Sequence, residues 1–307
     1  MPKALVTGGC GFIGSNFLNI MKQRHPDIDF VNIHTLDYCS HIHNVNPGVA
    51  TFVHRNLCNV GFLENLVKEH KFDYVFHFAA QSHVDNSFAS PLGFTLDNTY
   101  GTHTLIEICR RHIPNVEFIH FSTDEVYGES KTDEPFTEAT GVLRPTNPYS
   151  ASKAAAEMIV MSYIESFGMN IKIVRSNNVY GPNQYPEKLI PKFIRLLKNN
   201  EKCTIHGSNS ANLRRAFMHV DDVVDAVEIV WKRGKTGEVY NIASDDELSV
   251  MDVTKLIIKT IKDTENYDEW IEYVEDRPFN DQRYYICADK LKDLGWSQKK
   301  TCEDLIK

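Results

Sequence analysis

The sequence has no CxxC pair, no long apolar run, no block of basic residues and no internal repeat. Each absence removes a class of protein. The seven cysteines (10, 39, 58, 109, 203, 287 and 302) are odd in number and widely scattered, so neither a disulfide framework nor a zinc cluster is indicated, and no metal is expected. Reduced thiols in a cytosol are the plain reading, and a cytoplasmic protein is expected. No apolar stretch reaches the roughly 18 residues that a membrane span needs. Met1-Pro2-Lys3 leads straight into Ala4-Leu5-Val6 without a signal-type hydrophobic segment, so no membrane partner is expected. The 33 Lys and Arg against 41 Asp and Glu give a formal net charge of -8, with a pI near 5.9, which argues against nucleic acid as a partner. A negative sum still permits a local cationic pocket, because the field follows placement and not the total.

What is present is ordinary globular composition: 307 residues, 42% hydrophobic, 24% charged and 11% aromatic, at a mean hydropathy of -0.34. At roughly 100 to 200 residues per domain, this length suggests one large or two moderate lobes. Short apolar runs (Ala4 to Thr7, Phe30 to Ile33, Tyr74 to Phe78, Phe118 to Ser122, Ile171 to Arg175) recur between segments with apolar spacing of three and four. Examples of the latter are Ser15 to Arg24, Thr102 to His112 and Ser150 to Phe167. The alternation predicts βαβ units, and with them an α/β fold built on a doubly wound parallel sheet. After Arg175, Gly181-Pro182, Tyr185-Pro186 and Ile190-Pro191 break the rhythm and helix signals dominate. A first lobe is therefore placed at 1–176 and a smaller, mostly helical lobe at 177–307, some segments of which are expected to return to the first.

Thr7-Gly8-Gly9-Cys10-Gly11-Phe12-Ile13-Gly14 follows the first strand and opens the first helix. Gly8 permits a tight turn, Gly11 lets backbone approach a pyrophosphate, and Gly14 lets helix and strand pack closely, leaving helix N-terminal N–H groups for phosphates. In a βαβ setting this predicts a Rossmann dinucleotide site. Such a site commonly ends its second strand with an acid for the adenosine ribose, whereas His34 stands there, followed by Thr35-Leu36-Asp37. Asp37 is read either as the ribose carboxylate or as a solvated loop acid, and both readings stay open. No Arg follows closely to hold a 2′-phosphate, which favours NAD over NADP.

Tyr149-Ser150-Ala151-Ser152-Lys153 puts a phenol and an ammonium on one face of a helix. A phenol is a poor base near neutrality unless nearby positive charge stabilises the phenolate. Preceded by the glycine loop and by Ser122-Thr123 at a strand end, the pair points to hydride chemistry at a sugar or alcohol carbon.

At this point the chain resembles an extended short-chain dehydrogenase/reductase, and within that family the nucleotide-sugar 4,6-dehydratases. The matching segments are TGGCGFIGS from Thr7, HFAAQSHVDNS from His77, STDEVYG from Ser122, YSASK from Tyr149, NNVYGPNQYPEKLIPKFI from Asn177 and RPFNDQRYYI from Arg277. The resemblance implies conversion of UDP- or dTDP-glucose to the 4-keto-6-deoxy sugar around a retained NAD. Tyr149, assisted by Lys153 and Thr123, removes the 4-hydroxyl proton during oxidation at carbon 4. Glu125 takes the carbon-5 proton while Asp124 protonates the departing 6-hydroxyl, and hydride then returns to carbon 6. Adjacent carboxylates in a partly desolvated pocket suit this, because one must be protonated while the other is ionised. Related epimerases lack the Asp-Glu pair, which sets aside the alternative of a UDP-hexose 4-epimerase. A catalytically silent dinucleotide sensor would need only the glycine loop.

The resemblance also implies a cofactor wall of Phe12, Ile13, Asn56, Leu57, Ala79 and Ala80 beside the glycines, Tyr149 and Lys153. It implies substrate contacts from Ser82, His83, Asp85, Asn178, Lys188, Leu189, Arg215, Asn280 and Arg283, with Asn98 supporting the Tyr149 and Lys153 arrangement. Asp85 and Asn98 have structural readings alongside these roles, and Asp221-Asp222 reads as a helix N-cap. The sequence departs from the family's pattern at His34, at Asn56 in place of an adenine-contacting aspartate, and at Ala216. It also stops at Lys307, and a shortened last helix is expected. RPFNDQRYYI resembles rhamnose-forming domains that take UDP-glucose, but no motif reads uridine against thymidine. The helices at Thr102 to His112 and Ser150 to Phe167 are expected to form a homodimer interface, by analogy with the family.

Overall fold

The computed structural model describes residues 1–140, 142–207, 211, 213–275, 281–301 and 304. The first half supplies strands β1 (Lys3–Thr7), β2 (Asp29–His34), β3 (Thr51–His54), β4 (Tyr74–His77), β5 (Glu117–Thr123) and β6 (Ile171–Ser176). The second half supplies β7 (Asn178–Tyr180), β8 (Cys203–His206), β9 (Arg214–His219), β10 (Val239–Ile242), β11 (Glu247–Ser249) and β12 (Ile271–Val274).

Seven strands form one sheet in the order β10-β6-β5-β4-β1-β2-β3, and every pairing in it is parallel. Helices cover both faces. Phe17, Leu18 and Met21 of the helix Phe12–Arg24 meet Val223, Val227 and Trp231 of the helix Val220–Arg233 on one side. Leu63, Leu105, Ile106 and Val160 pack on Leu5, Val75 and Phe118 on the other. A strand buried from both sides has no polar alternation, which is why these segments read as apolar runs. Each such buried side chain stabilises the fold by roughly 1.5–3 kcal/mol. The strand order reverses between β1 and β4, and this reversal opens a crevice at their carboxyl ends, the usual ligand site of such sheets.

The rest of the chain forms a smaller layer around Phe193, Leu197, Ile257 and Ile258. It holds the helices Leu189–Lys198 and Val250–Lys262, together with a three-stranded sheet β11-β9-β7 and a two-stranded sheet β12-β8. β10 leaves this layer and joins the main sheet beside β6, pairing Val239 with Ile173.

Two helix starts govern the site. Pro148–Phe167 opens on a capping box in which the Ser150 N–H donates to Asn147 Oδ1 at 2.9 Å and the Asn147 N–H donates to Ser150 Oγ at 3.2 Å, with Pro148 in its first turn. At Val220–Arg233 the cap is His219, whose Nδ1 accepts the Asp221 N–H at 3.1 Å, and not the Asp221-Asp222 pair that the sequence suggested. Asp222 is buried and accepts the N–H groups of Lys299 and Lys300 at 3.1 and 2.9 Å, fastening the C-terminal segment. Residues 302–303 and 305–307, on which the expected shortening of the last helix bears, lie outside the described residues. Among the described residues no helix is long and apolar enough to cross a membrane, and no group of His, Cys, Asp and Glu is arranged to hold a metal.

Candidate active site

A cleft of about 530 Å³ runs from the glycine loop, past the ends of β4 and β5, to the smaller layer. At one end Gly8 has φ +75°, and a Cβ there would sit 2.7 Å from the Ala79 N. A Cβ on Gly14 would come within 2.5 Å of the Gly8 carbonyl oxygen. Only glycine fits either place, so the loop stays a shallow cradle against the first helix, a shape suited to a pyrophosphate. Phe12, Ile13, Gly11, Asp37, Asn56, Leu57, Ala79 and Ala80 line the same end. The residues present thus fit a dinucleotide.

The reacting centre sits at the end of β5. The strand closes on Thr123, whose Oγ1 accepts the Glu125 N–H at 3.3 Å and starts a single 3₁₀ turn, Asp124–Tyr127. That turn places two carboxyls back to back. Asp124 is buried and does not reach the cleft surface. Its Oδ2 accepts from Asn177 Nδ2 at 2.7 Å and its Oδ1 from Thr123 Oγ1 at 3.2 Å. Burial, and then the charge of Glu125, raise its pKa to about 7, against the pull of those two hydrogen bonds. Glu125 lines the cleft. Its Oε2 accepts from Asn147 Nδ2 at 3.0 Å and, at 3.5 Å, from the Tyr284 hydroxyl, which is also bonded to Asp281. Burial raises its pKa as well, while Asn147, Lys188 and Arg215 favour its ionised form.

Tyr149 and Lys153 face this turn from the helix Pro148–Phe167. The phenol is buried, and burial, followed by the Glu125 charge, holds it well above its usual range. Lys153 donates to the Phe121 carbonyl at 2.7 Å, and burial draws its pKa down to about 8. Beneath them Glu157 and Arg175 form a buried ion pair at 2.6 Å, with Ser122 donating to the same carboxylate. Asn98 lies in a π-helical turn, Thr95–Tyr100. It accepts the Gln81 N–H at 2.7 Å and donates to Ser152 Oγ at 2.8 Å, joining the loop after β4 to the helix of Tyr149.

At the far end Lys188 Nζ donates to the Ser82 carbonyl at 3.1 Å. Arg215 bridges the carbonyls of Asp281 and Gln282 at 2.7 and 3.0 Å and lies over the Tyr284 ring. Ser82, His83, Asp85, Asn178, Lys188, Leu189 and Arg215 all line the cleft, with His83 also capping the helix Val84–Ala89. Arg283 does not join them: its guanidinium turns away onto Glu247, at 2.5 and 2.8 Å, and it borders a separate surface depression. Tyr284 takes the inward place beside Glu125, and the adjoining Arg283 turns outward to Glu247. Asn280 lies outside the described residues. Sequence reasoning missed Asn147, Asn177, Asp281 and Tyr284, which surround the two acids; Asn147 carried a local signal, the Asn-Pro-x-Ser start of a capped helix, and the other three lay inside matched segments without being singled out.

A doubly wound sheet with a glycine cradle at its switch point, a Tyr–Lys pair and two opposed carboxyls defines a dinucleotide-dependent enzyme of the short-chain dehydrogenase/reductase type. Residues 5–307 match the GDP-mannose 4,6 dehydratase family, and the chain belongs to it. It is 45% identical over 313 residues to the dTDP-D-glucose 4,6-dehydratase of Mus musculus, covering 99% of this chain and 86% of that protein. It is 45% identical over 305 residues to a trifunctional UDP-glucose 4,6-dehydratase/UDP-4-keto-6-deoxy-D-glucose 3,5-epimerase/UDP-4-keto-L-rhamnose-reductase of Arabidopsis thaliana, covering 98% of this chain and 45% of that protein. The crystal structure of dTDP-glucose 4,6-dehydratase from Bacillus anthracis in complex with NAD superposes with a TM-score of 0.89 at 35% identity, covering 99% and 93% of the two chains.

Proposed function

We propose that the chain is a hydro-lyase, a nucleotide-sugar 4,6-dehydratase that converts UDP-glucose or dTDP-glucose to the 4-keto-6-deoxy sugar and water with NAD as cofactor. The observation that carries this reading is the pair Asp124 and Glu125, one carboxyl buried with its pKa at about 7 and the other facing the cleft beside Tyr149. Epimerisation at carbon 4 has no use for either acid.

The glycine loop, with Phe12, Ile13, Asp37, Asn56, Leu57, Ala79 and Ala80, holds NAD, which when bound supplies the hydride acceptor at carbon 4 and the hydride donor at carbon 6. Residues 1–176 carry this half and residues 177–307 the nucleotide sugar, where Arg215 and Lys188 meet its diphosphate. Tyr149 takes the proton of the 4-hydroxyl with Thr123 beside it, and the Lys153 ammonium stabilises the phenolate so formed. The ketone acidifies carbon 5, whose proton passes to Glu125, and Glu125 returns a proton to carbon 5 once water has left and carbon 6 has been reduced. Asp124, half protonated near neutrality, turns from Asn177 toward the cleft and gives its proton to the 6-hydroxyl, which leaves as water. Uridine and thymidine differ by one methyl, a distinction worth only about 1–3 kcal/mol, so both nucleotides are offered in the test below.

The homodimer interface is read as the helices Gly101–His112 and Pro148–Phe167, extended by the exposed Met158 on the latter and by the exposed Leu92, Leu96 and Tyr100 on the helical turns that lead into the former. Leu96→Asp should halve the mass seen by light scattering. The six cysteines among the described residues are all free, which supports a cytosolic setting, and the product suits onward conversion to a deoxysugar such as rhamnose. Incubating the protein separately with UDP-glucose and dTDP-glucose, without and then with added NAD, tests the reaction. Loss of one water by mass spectrometry is expected. An isobaric hexose would instead indicate an epimerase, and unchanged substrate with NAD present would rule the enzyme reading out.

A further inference from the structure

Where a dinucleotide site ordinarily offers a carboxylate to the adenosine ribose, β2 ends on His34. The Leu36 N–H donates to His34 Nδ1 at 2.7 Å, which leaves the ring proton on Nε2. Burial lowers its pKa to about 4, with Asp37 opposing and His54 reinforcing, so the ring is neutral. Nε2 lies 3.7 Å from where a Cβ on Gly11 would stand, and the N–H therefore faces the glycine loop on the adenosine side of the cleft. The neighbouring strand brings a cation that no reading of the β2 segment alone could find. Arg55 follows β3, its N–H donates to the His34 carbonyl at 3.1 Å, and its guanidinium rests over the Phe62 ring at 5.0 Å while lining the same cleft. Asp37, on the loop after β2, accepts the Thr35 hydroxyl at 2.5 Å.

A carboxylate at the strand end repels a 2′-phosphate. A neutral N–H donor does not, and a guanidinium beside it attracts one, since the phosphate carries close to two negative charges near neutrality. We propose that the adenosine end of the cleft accepts a 2′-phosphorylated dinucleotide, NADP, at least as well as NAD, with His34 Nε2–H and the Arg55 guanidinium as the donors that hold the phosphate. This rests on the dinucleotide reading above.

Calorimetric titration of the full chain with NAD, NADP, ADP-ribose and 2′-phospho-ADP-ribose tests it without reference to turnover. The wild type should bind the phosphorylated member of each pair equally or more tightly, and more weakly as salt is raised. His34→Asp should weaken the phosphorylated ligands by roughly tenfold or more and leave the others unchanged or tighter. Arg55→Gln, an exposed change that spares folding, should weaken only the phosphorylated ligands, by about three- to tenfold. Rejection of NADP by a wild type that binds NAD would overturn this proposal alone, as would two variants with an unchanged NAD to NADP ratio. Binding of none of the four by a folded chain would remove the dinucleotide reading and this proposal with it.

Discussion

Replacing Asp124 by Asn separates what this residue does for the reaction from what it costs the fold. Its carboxyl rises from an ordinary 3.8 to about 7 in the folded chain. The native state therefore holds a proton that the unfolded chain has already released between those values, and stability is lost as pH climbs through that window. A shift of about three units at about 1.4 kcal/mol each sets a ceiling near 4 kcal/mol on the cost of ionising the group in place. That shift already includes the pull of the two hydrogen bonds from Asn177 and Thr123, so about 4 kcal/mol stands as the upper bound on the effect. Asn cannot ionise, and the Thr123 hydroxyl can rotate to suit an amide. Relative to wild type, Asp124→Asn should thus be near neutral at about pH 3.5, and its stability advantage should grow through the window to at most about 4 kcal/mol at about pH 8, read as the urea midpoint. Its kcat should fall by about 10²–10⁴ for want of a transferable proton. An equal stability difference at both pH values, or a variant that dehydrates substrate like wild type, would refute the reasoning.

Glu125→Gln should abolish solvent deuterium uptake at carbon 5 while nicotinamide reduction, followed by absorbance, still occurs on adding substrate; normal turnover would remove Glu125 from its role. Gly8→Ala places a Cβ 2.7 Å from the Ala79 N at a φ of +75°, so dinucleotide affinity measured by calorimetry should fall by at least roughly tenfold even in a folded variant. Glu157→Gln leaves the Arg175 guanidinium buried and short of its counter-charge, and urea unfolding should register a loss of about 3–5 kcal/mol.

Much of this was legible in the chain itself. Strands buried on both faces announce themselves as apolar runs, and the glycine loop, the Asp124-Glu125 pair after Ser122-Thr123, and Tyr149 with Lys153 are common motifs singly but informative in that order along the chain. β3 and β10 were not legible, because four residues carry too little period to stand out: Thr-Phe-Val-His is half exposed at one sheet edge, and the buried Val-Tyr-Asn-Ile at the other has Asn in place of a continuous apolar run. The groups around the acids were hidden for a different reason. Asn177, Asp281 and Tyr284 matter only because distant segments bring them against Asp124 and Glu125, and no local pattern encodes that. The same holds for Arg283: its motif is recognisable, but which way its side chain turns is settled by Glu247 on another strand.

The edge strand β10 completes the main sheet only after the chain has passed through the smaller layer. During synthesis from the N-terminus, β6 must wait until residue 242 has emerged before its outer rim is paired. In that interval a nascent polypeptide presents a row of unsatisfied amides flanked by Ile171, Ile173 and Val174, all fully buried in the finished fold. Such a rim invites pairing with other chains. Truncation between the two halves should therefore yield aggregates rather than a free-standing dinucleotide binder, and the chain's two functional halves are inherited as one folding unit.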